Sequence, residues 1–341
     1  MTGPLVIVIG ASAGGIQALT DLVARLPAHL PATLLIVVHI PPDMKSHLHT
    51  VLQRASLLPV SPASTGEPLR PGHIYCAVAD HHLLVEGDRL AVTRGPKENR
   101  FRPSIDALFR SAAYSHTTRV AGVVLSGMLD DGTSGLWTIK RLGGLALVQD
   151  PQEAEYDSMP LSALSQVEVD DSLSVPALAQ RLIAWTQLQR APEETEVRLT
   201  EEERARLETE TGIAKDGRGL QRQVLSLGTP SQYACPECHG VLLQLQEGGR
   251  TRYRCHVGHA YSASALLAQV SETVQLTLGQ ARRAMEEAAL LSNRLGDEHL
   301  ARGDARAART FHEQAQVALT RSLQLLALLD DTSGRSDVEV E

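Results

Sequence analysis

A serine inside a glycine turn is the first feature of this sequence that could do chemistry. Residues 5–16 read LVIVIGASAGGI, so an apolar run ends in the turn GASAGG at 10–15, with Ser12 at its centre. The turn matches G-x-S-x-G, the pattern of a serine presented as a nucleophile where a strand passes into a helix. Such a serine needs a base within hydrogen-bond reach and a group that orients the base.

Candidates for both partners follow other apolar runs. His39 comes directly after the run 33–38, and Asp130 and Asp131 lie in SGMLDDG, after the run 120–125. The C-terminal ends of parallel strands share one edge of a sheet, where α/β proteins bind ligands. The placement therefore predicts a triad of serine, histidine and one of the two aspartates. Backbone N–H groups at the start of the following helix, that of Ala13 first, would stabilise an oxyanion.

Each candidate also has a simpler interpretation when taken singly. Glycine-rich strand-to-helix turns are common, His39 could be an ordinary loop histidine, and either aspartate could cap the next helix. The chain order Ser, His, Asp excludes the α/β-hydrolases, which run Ser, acid, His. A dinucleotide-binding turn is disfavoured as well, because His39 occupies the place where that motif requires an acid.

The pattern that would position these residues is that of an α/β fold, a doubly wound and mainly parallel sheet with helices on both faces. Apolar runs without alternation are typical of strands covered on both sides. The segment 81–94 resembles a hairpin that turns at Gly87-Asp88. Strands are predicted over 5–9, 33–38, 73–78, 120–125 and 145–148, and helices over 15–26, 44–55, 104–115, 132–142 and 175–188.

Composition narrows the class of protein. The chain has 341 residues, 43% of them apolar and only 3% aromatic, so its core must be aliphatic. A formal net charge of -8 argues against general nucleic-acid binding. The N-terminus lacks the pattern of a secretory signal, and no apolar run approaches the roughly 20 residues of a membrane span. We therefore expect a cytoplasmic protein without direct membrane insertion.

The C-terminal half changes character several times. We expect a catalytic domain over 1–190, a charged linker over 191–232, a small zinc ribbon over 233–261, a helical hairpin over 262–330 and a disordered tail over 331–341. The hairpin would turn at Arg302-Gly303-Asp304, because apolar residues recur at spacings of three and four on either side. Its apolar stripe indicates either a self-contained core or a surface for docking or oligomerisation.

Three of the four cysteines are clustered, with the spacing of metal ligands. Cys235 and Cys238 form a C-x2-C knuckle, and Cys255 follows after 16 residues that fit a ribbon hairpin. His259 is the preferred fourth ligand, because Gly258 lets the chain curl back, and His256 is the alternative. A filled Cys3His site would hold a structural zinc ion. The alternative is a cluster of free thiols without metal.

Five segments together resemble a known family. GASAGGIQAL, VVHIPPD, RPSIDALF, GVVLSGMLDDGTSGL and ALVQDPQEAEYDSMP occur in this order across roughly residues 3–188 and are similar to the catalytic domain of CheB, the chemotaxis protein-glutamate methylesterase. The resemblance implies a triad that hydrolyses methyl esters of glutamate on chemoreceptors and deamidates certain glutamines, without a catalytic cofactor. It assigns the nucleophile to Ser12, the base to His39 and the acid to Asp131, with Asp130 as the fallback. It also suggests the backbone N–H of Met128 as a second oxyanion donor.

The chain departs from that family in three respects. The first strand begins within five residues of Met1, so we expect no receiver domain ahead of it. Ala13 replaces a threonine that is frequent in the family, and the C-terminal half lies outside the usual pattern. We expect an enzyme whose partner is a methylated chemoreceptor or a related sensory protein. The alternatives are a non-catalytic scaffold that binds proteins in a sensory complex and a nucleotide-binding protein.

Overall fold

Within the described residues, seven parallel strands form the central sheet of the N-terminal half. The computed structural model describes residues 3–41, 46–188 and 199–333. The first nine strands are β1 (Leu5–Ala11), β2 (Ala32–Val38), β3 (Val60–Pro62), β4 (His73–Cys76), β5 (His82–Glu86), β6 (Arg89–Thr93), β7 (Val120–Val124), β8 (Leu145–Gln149) and β9 (Asp171–Leu173). The sheet order is β3-β4-β2-β1-β7-β8-β9, with β5 and β6 in a separate antiparallel hairpin. The predicted α/β fold is confirmed.

The sheet has its switch point between β1 and β7. From β1 the chain adds strands on one side through β2 and β4, and later on the other side through β7 and β8. Ligands of doubly wound sheets bind in the crevice that this reversal opens at the C-terminal ends of the strands. Ser12 follows one of the two bordering strands, and the segment with Asp130 and Asp131 follows the other.

Helices cover both faces of the sheet and bury an aliphatic core on each. One face carries α1 (Gly15–Val23), α2 (Leu48–Ala55) and α6 (Val175–Leu188), and the other carries α3 (Ile105–His116), α4 (Thr133–Arg141) and α5 (Ser158–Gln166). Leu19 and Leu22 fill the first core, and Phe109 and Ile139 fill the second; all four are fully buried. Burying such a side chain stabilises the fold by about 1.5–3 kcal/mol. Residues 44 and 45 of the predicted helix 44–55 lie outside the described residues.

The segment predicted as a charged linker contains a helix that packs on the catalytic domain. Helix α7 (Glu201–Asp216) begins with a capping box between Thr200 and Glu203. Its buried positions include Leu207 and Ile213. The helix therefore has one apolar face despite its charged composition. Residues 191–198 of the predicted linker lie outside the described residues.

An antiparallel ribbon follows this helix. Its strands are β10 (Thr229–Ala234), β11 (Val241–Glu247), β12 (Arg250–Cys255) and β13 (Ala260–Ser262), paired in that order. The predicted hairpin between Cys238 and Cys255 corresponds to β11 and β12, which turn at Gly248 and Gly249, both with positive φ. The compact unit that ends at Leu266 includes both the ribbon and the α/β sheet.

Two long helices follow the ribbon, and the second compact unit begins at Leu267, within the first of them. They are α8 (Ala263–Ala301) and α9 (Ala305–Ser333), and they turn at Gly303, as predicted. Their contacts include a hydrogen bond of 3.0 Å from the Ser322 hydroxyl to Glu286 and the stacking of the Phe311 ring on His299, with centroids 5.3 Å apart. Val270 and Val274, two of the apolar residues that recur at the spacings of the predicted stripe, are more than 40% exposed. In the described part of the chain no helix has the length and apolarity to cross a membrane, and residues 334–341 of the predicted tail lie outside it.

Candidate active site

The glycine turn after β1 presents Ser12 at the start of α1. The Ser12 N–H donates to the Ser126 carbonyl at 2.9 Å, and the Gly15 N–H donates to the Ser12 carbonyl at 3.0 Å. Gly14 has a φ of 69°, a conformation that favours glycine. A Cβ at Gly15 would lie 2.5 Å from the Ala11 Cβ. The two glycines therefore make the close passage from strand to helix sterically possible.

His39 follows β2 directly and faces the serine. Its backbone N–H donates to the Ala11 carbonyl at 3.3 Å, which extends the pairing of β2 with β1. Its Nδ1 lies 3.1 Å from Ser12 Oγ. The Phe101 ring stacks on the imidazole with centroids 3.6 Å apart and planes inclined by 7°. Because the side chain is only 4% exposed, protein contacts fix the orientation of the imidazole.

The second imidazole nitrogen contacts Asp131. His39 Nε2 lies 2.8 Å from Asp131 Oδ2. Because a carboxylate only accepts, Nε2 carries the proton and Nδ1 is left to accept from the Ser12 hydroxyl. In chymotrypsin the two nitrogens have the opposite assignment. The structure thus brings the three predicted side chains together in one hydrogen-bonded chain, and their catalytic roles stay a prediction.

The Asp131 carboxylate is held at the N-terminus of α3. Burial by itself would raise the pKa of Asp131, but the hydrogen bond and charge of His39, together with further donors, lower it. Asp131 is therefore the anionic partner of the imidazole. The further donors to its two oxygens are the Asn99 amide (2.9 Å), the Ser104 hydroxyl (3.0 Å) and the backbone N–H groups of Ile105 (2.7 Å), Asp106 (3.2 Å) and Gly132 (3.1 Å).

A second buried carboxylate, Asp106, shares the Asn99 amide with Asp131. The amide nitrogen lies 2.8 Å from Asp106 Oδ2, and the Gly135 N–H donates to Asp106 Oδ1 at 2.7 Å. Burial, and next the negative charge of Asp131, raise the pKa of Asp106. The two carboxylates therefore differ in their readiness to ionise, and the one beside His39 holds the charge.

Asp130, the fallback acid, has a different partner. Its Oδ1 accepts a hydrogen bond from the Ser262 hydroxyl at 2.7 Å, at the end of β13 in the ribbon. Burial raises the pKa of Asp130. Within the described residues, Asp131 is thus the aspartate in contact with His39.

The predicted oxyanion donors lie on the two loops that border Ser12. Ala13 is the next residue in the turn, and Met128 belongs to the loop after β7. Among the described residues, neither backbone N–H has a hydrogen-bond acceptor. A Cβ at Gly127 would lie 2.9 Å from the Ser12 Cβ, so this loop passes directly beside the serine. Both N–H groups belong to loops that border Ser12, and their role as oxyanion donors stays a prediction.

Three residues that the sequence analysis does not single out support the site. The Ser126 hydroxyl donates to the Ala13 carbonyl at 2.8 Å and accepts from the Tyr156 N–H at 3.0 Å, which ties the serine turn to two neighbouring loops. Asn99 and Phe101 contact Asp131 and His39. Nothing in their local pattern marks them, although they directly precede the segment RPSIDALF.

The cysteine cluster is assembled as predicted. One ligand atom each from Cys235, Cys238, Cys255 and His259 lies within 4.8 Å of every other. Cys238 and Cys255 have their sulfurs 3.5 Å apart, and His259 Nδ1 lies 3.5 Å from Cys255 Sγ and 3.7 Å from Cys235 Sγ. Ligand atoms around a tetrahedral zinc ion are about 3.5–3.8 Å apart. The residues therefore fit this ion, and His259 rather than His256 completes the cluster.

The fold and the site together define an α/β protein with a hydrogen-bonded Ser-His-Asp chain at the switch point of its parallel sheet. Comparison with known proteins then identifies the family. The CheB methylesterase profile matches residues 7–182, which is more than half of the chain. The chain therefore belongs to the CheB methylesterase family. The matched range includes all three residues of the Ser-His-Asp chain and ends before α7 and the ribbon.

Individual relatives agree with this assignment. A Myxococcus xanthus protein named protein-glutamate methylesterase/protein-glutamine glutaminase 4 is 40% identical over 182 residues, which cover 53% of this chain and 52% of that protein. A Leptospira interrogans protein with a provisional name for the same two activities is 37% identical and is covered over 94% of its length. The crystal structure of the Thermotoga maritima CheB methylesterase catalytic domain aligns with a TM-score of 0.52 and 30% identity, over 54% of this chain and 100% of that one.

Proposed function

We propose that this chain is a protein-glutamate methylesterase and protein-glutamine glutaminase that uses Ser12, His39 and Asp131 as its triad. The observation that carries the proposal is the contact of 3.1 Å between Ser12 Oγ and His39 Nδ1, continued by the contact of 2.8 Å between His39 Nε2 and Asp131. This is the arrangement that activates a serine hydroxyl. The names of the relatives supply the substrate class.

The reaction begins with the transfer of one proton. Ser12 Oγ attacks the ester carbonyl carbon while its proton passes to His39 Nδ1. Asp131, anionic and fixed by five further donors, keeps the proton on Nε2 and stabilises the imidazolium. The negative charge that develops on the carbonyl oxygen is stabilised by the N–H groups of Ala13 and Met128. Each oxyanion donor of this kind contributes roughly 3–4 kcal/mol.

The intermediate then releases methanol and is hydrolysed. His39 returns its proton to the methoxy oxygen as the C–O bond breaks, which leaves an acyl ester on Ser12. Water attacks that ester with His39 again as base, and a glutamate carboxylate and the free serine are formed. With a glutamine side chain the same cycle releases ammonia in place of methanol.

The substrate is a methylated chemoreceptor or a related sensory protein, encountered in the cytoplasm. Ser12 is partly exposed at the sheet edge, and the neighbouring Met128 side chain is 56% exposed. A side-chain ester on another protein can therefore approach the serine from solvent. Met128 directly follows Gly127, the residue that passes beside Ser12.

The Cys3His cluster binds a structural zinc ion. Four protein ligands leave no open coordination position, so the ion would take no part in hydrolysis. It would instead link the knuckle before β11 to the end of β12. Small metal sites of this kind contribute directly to folding, because the ligands are not assembled in the unfolded chain.

The test is methanol release from a methylated chemoreceptor by wild-type protein and by Ser12→Ala. We expect the variant to lose at least about 10³-fold in turnover while its circular dichroism is unchanged. Ser172→Ala, at an exposed position of β9, is the matched control and should retain wild-type turnover. Wild-type turnover by Ser12→Ala would overturn the proposal.

A further inference from the structure

One short turn contacts both the imidazole and the carboxylate of the proposed triad. The Glu98–Phe101 turn is closed by two hydrogen bonds between the backbones of its end residues, at 2.9 and 3.2 Å. The amide of Asn99 donates to Asp131 Oδ1 at 2.9 Å, and the ring of Phe101 stacks on His39. A displacement of this turn would therefore move the contacts of both catalytic partners at once.

The ribbon holds Asn99 from the opposite side. The Asn99 N–H donates to the Ala260 carbonyl at 2.8 Å, and its Oδ1 accepts from the Ser262 N–H at 2.9 Å. Both acceptor and donor belong to β13. Asn99 is 4% exposed and has a φ of 49°, so its geometry is set by these protein contacts and not by solvent. One side chain thus connects the last ribbon strand with the triad carboxylate.

Buried charges attach the rest of the turn to the ribbon. The Glu98 carboxylate is 2.9 Å from Arg254 Nη2 on β12 and 3.1 Å from Arg110 Nη1 on α3. All three side chains are almost completely buried. A buried ion pair is strongly destabilised when one partner is removed, since the remaining charge is left without solvent. Buried ion pairs therefore join the turn to β12 of the ribbon and to α3.

We propose that Asn99 is a positioning residue for Asp131 and that β13 of the ribbon holds Asn99 in place, so that the ribbon sets the rate of reaction at Ser12. This inference rests on the proposed function, because it needs a triad to position. It assigns to the C-terminal ribbon a task in the active site that the family match over residues 7–182 does not cover. Asn99 itself touches no reacting atom.

The expected effect is partial, because Asp131 keeps its other donors. Without the amide, the carboxylate is held less firmly and its pKa rises, which makes it more basic toward the imidazole. We expect kcat to fall about tenfold with KM nearly unchanged, and the acid limb of the rate profile to move to higher pH. Substitution of a residue with a purely structural role would change the stability of the protein without moving the acid limb of the rate profile.

Two substitutions at Asn99 separate its contacts. Asn99→Asp keeps an oxygen that can accept from Ser262 but replaces the amide donor by a carboxyl group that faces Asp106 and Asp131, whereas Asn99→Gly removes the side chain without added charge or backbone strain at positive φ. Both should slow the reaction. The exposed amide Gln232 on β10 of the same ribbon provides the control Gln232→Ala, which should behave as wild type.

The ribbon contact is tested at Ser262. Ser262→Pro removes the N–H that donates to Asn99, while Ser262→Ala keeps this N–H and removes only the hydroxyl. Proline is tolerated on an edge strand when its nitrogen does not serve the ladder, and β13 is such a strand. We expect Ser262→Pro to slow the reaction by the same factor as Asn99→Gly and Ser262→Ala to slow it much less.

The primary readout is the rate at which a fluorophosphonate probe labels Ser12, with circular dichroism as the check of folding. Labelling needs an activated serine but no methylated protein. If wild-type Ser12 is not labelled, the proposed function fails. If wild-type Ser12 is labelled and folded Asn99→Asp and Asn99→Gly are labelled at the same rate with the same acid limb, the positioning role is overturned. Equal rates for folded Ser262→Pro and Ser262→Ala would overturn the part assigned to the ribbon.

Discussion

Asp131 contacts His39 through a hydrogen bond of 2.8 Å, although a second aspartate directly precedes it in the chain. Asp130 instead accepts from Ser262 in the ribbon. Residues with positive φ flank the pair, Leu129 at 63° and Gly132 at 98°. This local path of the backbone turns the two adjacent carboxylates toward different partners.

The pair of aspartates gives a matched test of the triad acid. Asp131→Asn should reduce kcat by about 10³–10⁴-fold, because an amide can donate to Nε2 and favour the wrong imidazole tautomer. Asp130→Asn should change kcat by less than about tenfold, since burial already raises the pKa of Asp130 and an amide oxygen can still accept from Ser262. Steady-state methanol release measures both. Equal losses in the two variants would contradict the assignment.

The loop beside Ser12 should not tolerate a side chain at Gly127. A Cβ there would lie 2.1 Å from Met159 Sδ and 2.9 Å from Ser12 Cβ. We expect Gly127→Ala to lower kcat at least about tenfold and to destabilise the fold by about 1–3 kcal/mol, because Met159 is buried and cannot yield freely. Turnover and thermal unfolding measure the two effects.

A second glycine shows whether the loss at Gly127 is specific. A Cβ at Gly279 in α8 meets nothing within 4 Å. Gly279→Ala should therefore leave turnover unchanged and stabilise the helix slightly. Normal turnover by Gly127→Ala would mean that the loop is not held against Ser12.

Zinc binding should depend on His259 and not on His256. Only His259 has a ring nitrogen in the cluster of four ligand atoms described above. We expect wild-type protein and His256→Asn to carry close to one zinc ion per chain, and His259→Asn to lose most of its zinc during gel filtration. Elemental analysis of the protein fractions measures this. Full zinc content in His259→Asn would contradict the ligand set.

Stability should fall in acid because of Glu98. Burial would raise the pKa of Glu98, but Arg110, Arg254 and Arg252 hold it at about 2. In the unfolded chain the value is about 4.3, so this stabilisation is present above that pH and is lost as the pH falls toward 2. The difference between the two pKa values corresponds to about 3 kcal/mol in the free energy of unfolding.

Glu98→Gln should therefore be less stable than wild type by about 3 kcal/mol at pH 6, and the gap should narrow at pH 3. Urea unfolding of the whole chain at the two pH values measures it. Glu208→Gln, at an exposed position of α7, is the control and should differ little from wild type at either pH. If the difference in stability between wild type and Glu98→Gln were the same at both pH values, the charge of Glu98 would be ruled out as its cause.

Local signals in the sequence were sufficient for the fold of the N-terminal half and for the prediction that Ser12, His39 and an aspartate come together. Unbroken apolar runs identify parallel strands because both faces of such strands are buried. Ser12, His39 and the pair Asp130 and Asp131 each follow a strand, and parallel strands end at a common edge, so the meeting of the serine, the histidine and one of the two aspartates could be expected before any coordinates. The cysteine spacing likewise predicts the cluster of four ligand atoms, because C-x2-C pairs occur in few other contexts.

Tertiary structure decided how these parts are connected. The charged stretch around α7 carries only a weak apolar pattern, and its buried Glu210 pairs with Arg110 from a helix about 100 residues earlier in the chain. Asn99 has no local signature, yet it links Ser262 of the ribbon to Asp131. Such contacts depend on which surfaces pack against each other. That packing results from many weak interactions together, and no short stretch of the sequence predicts it. Placement after the strands therefore predicted a serine, a histidine and one of two aspartates at one edge, and only the packing of the ribbon against the sheet revealed the contacts that connect them to the ribbon.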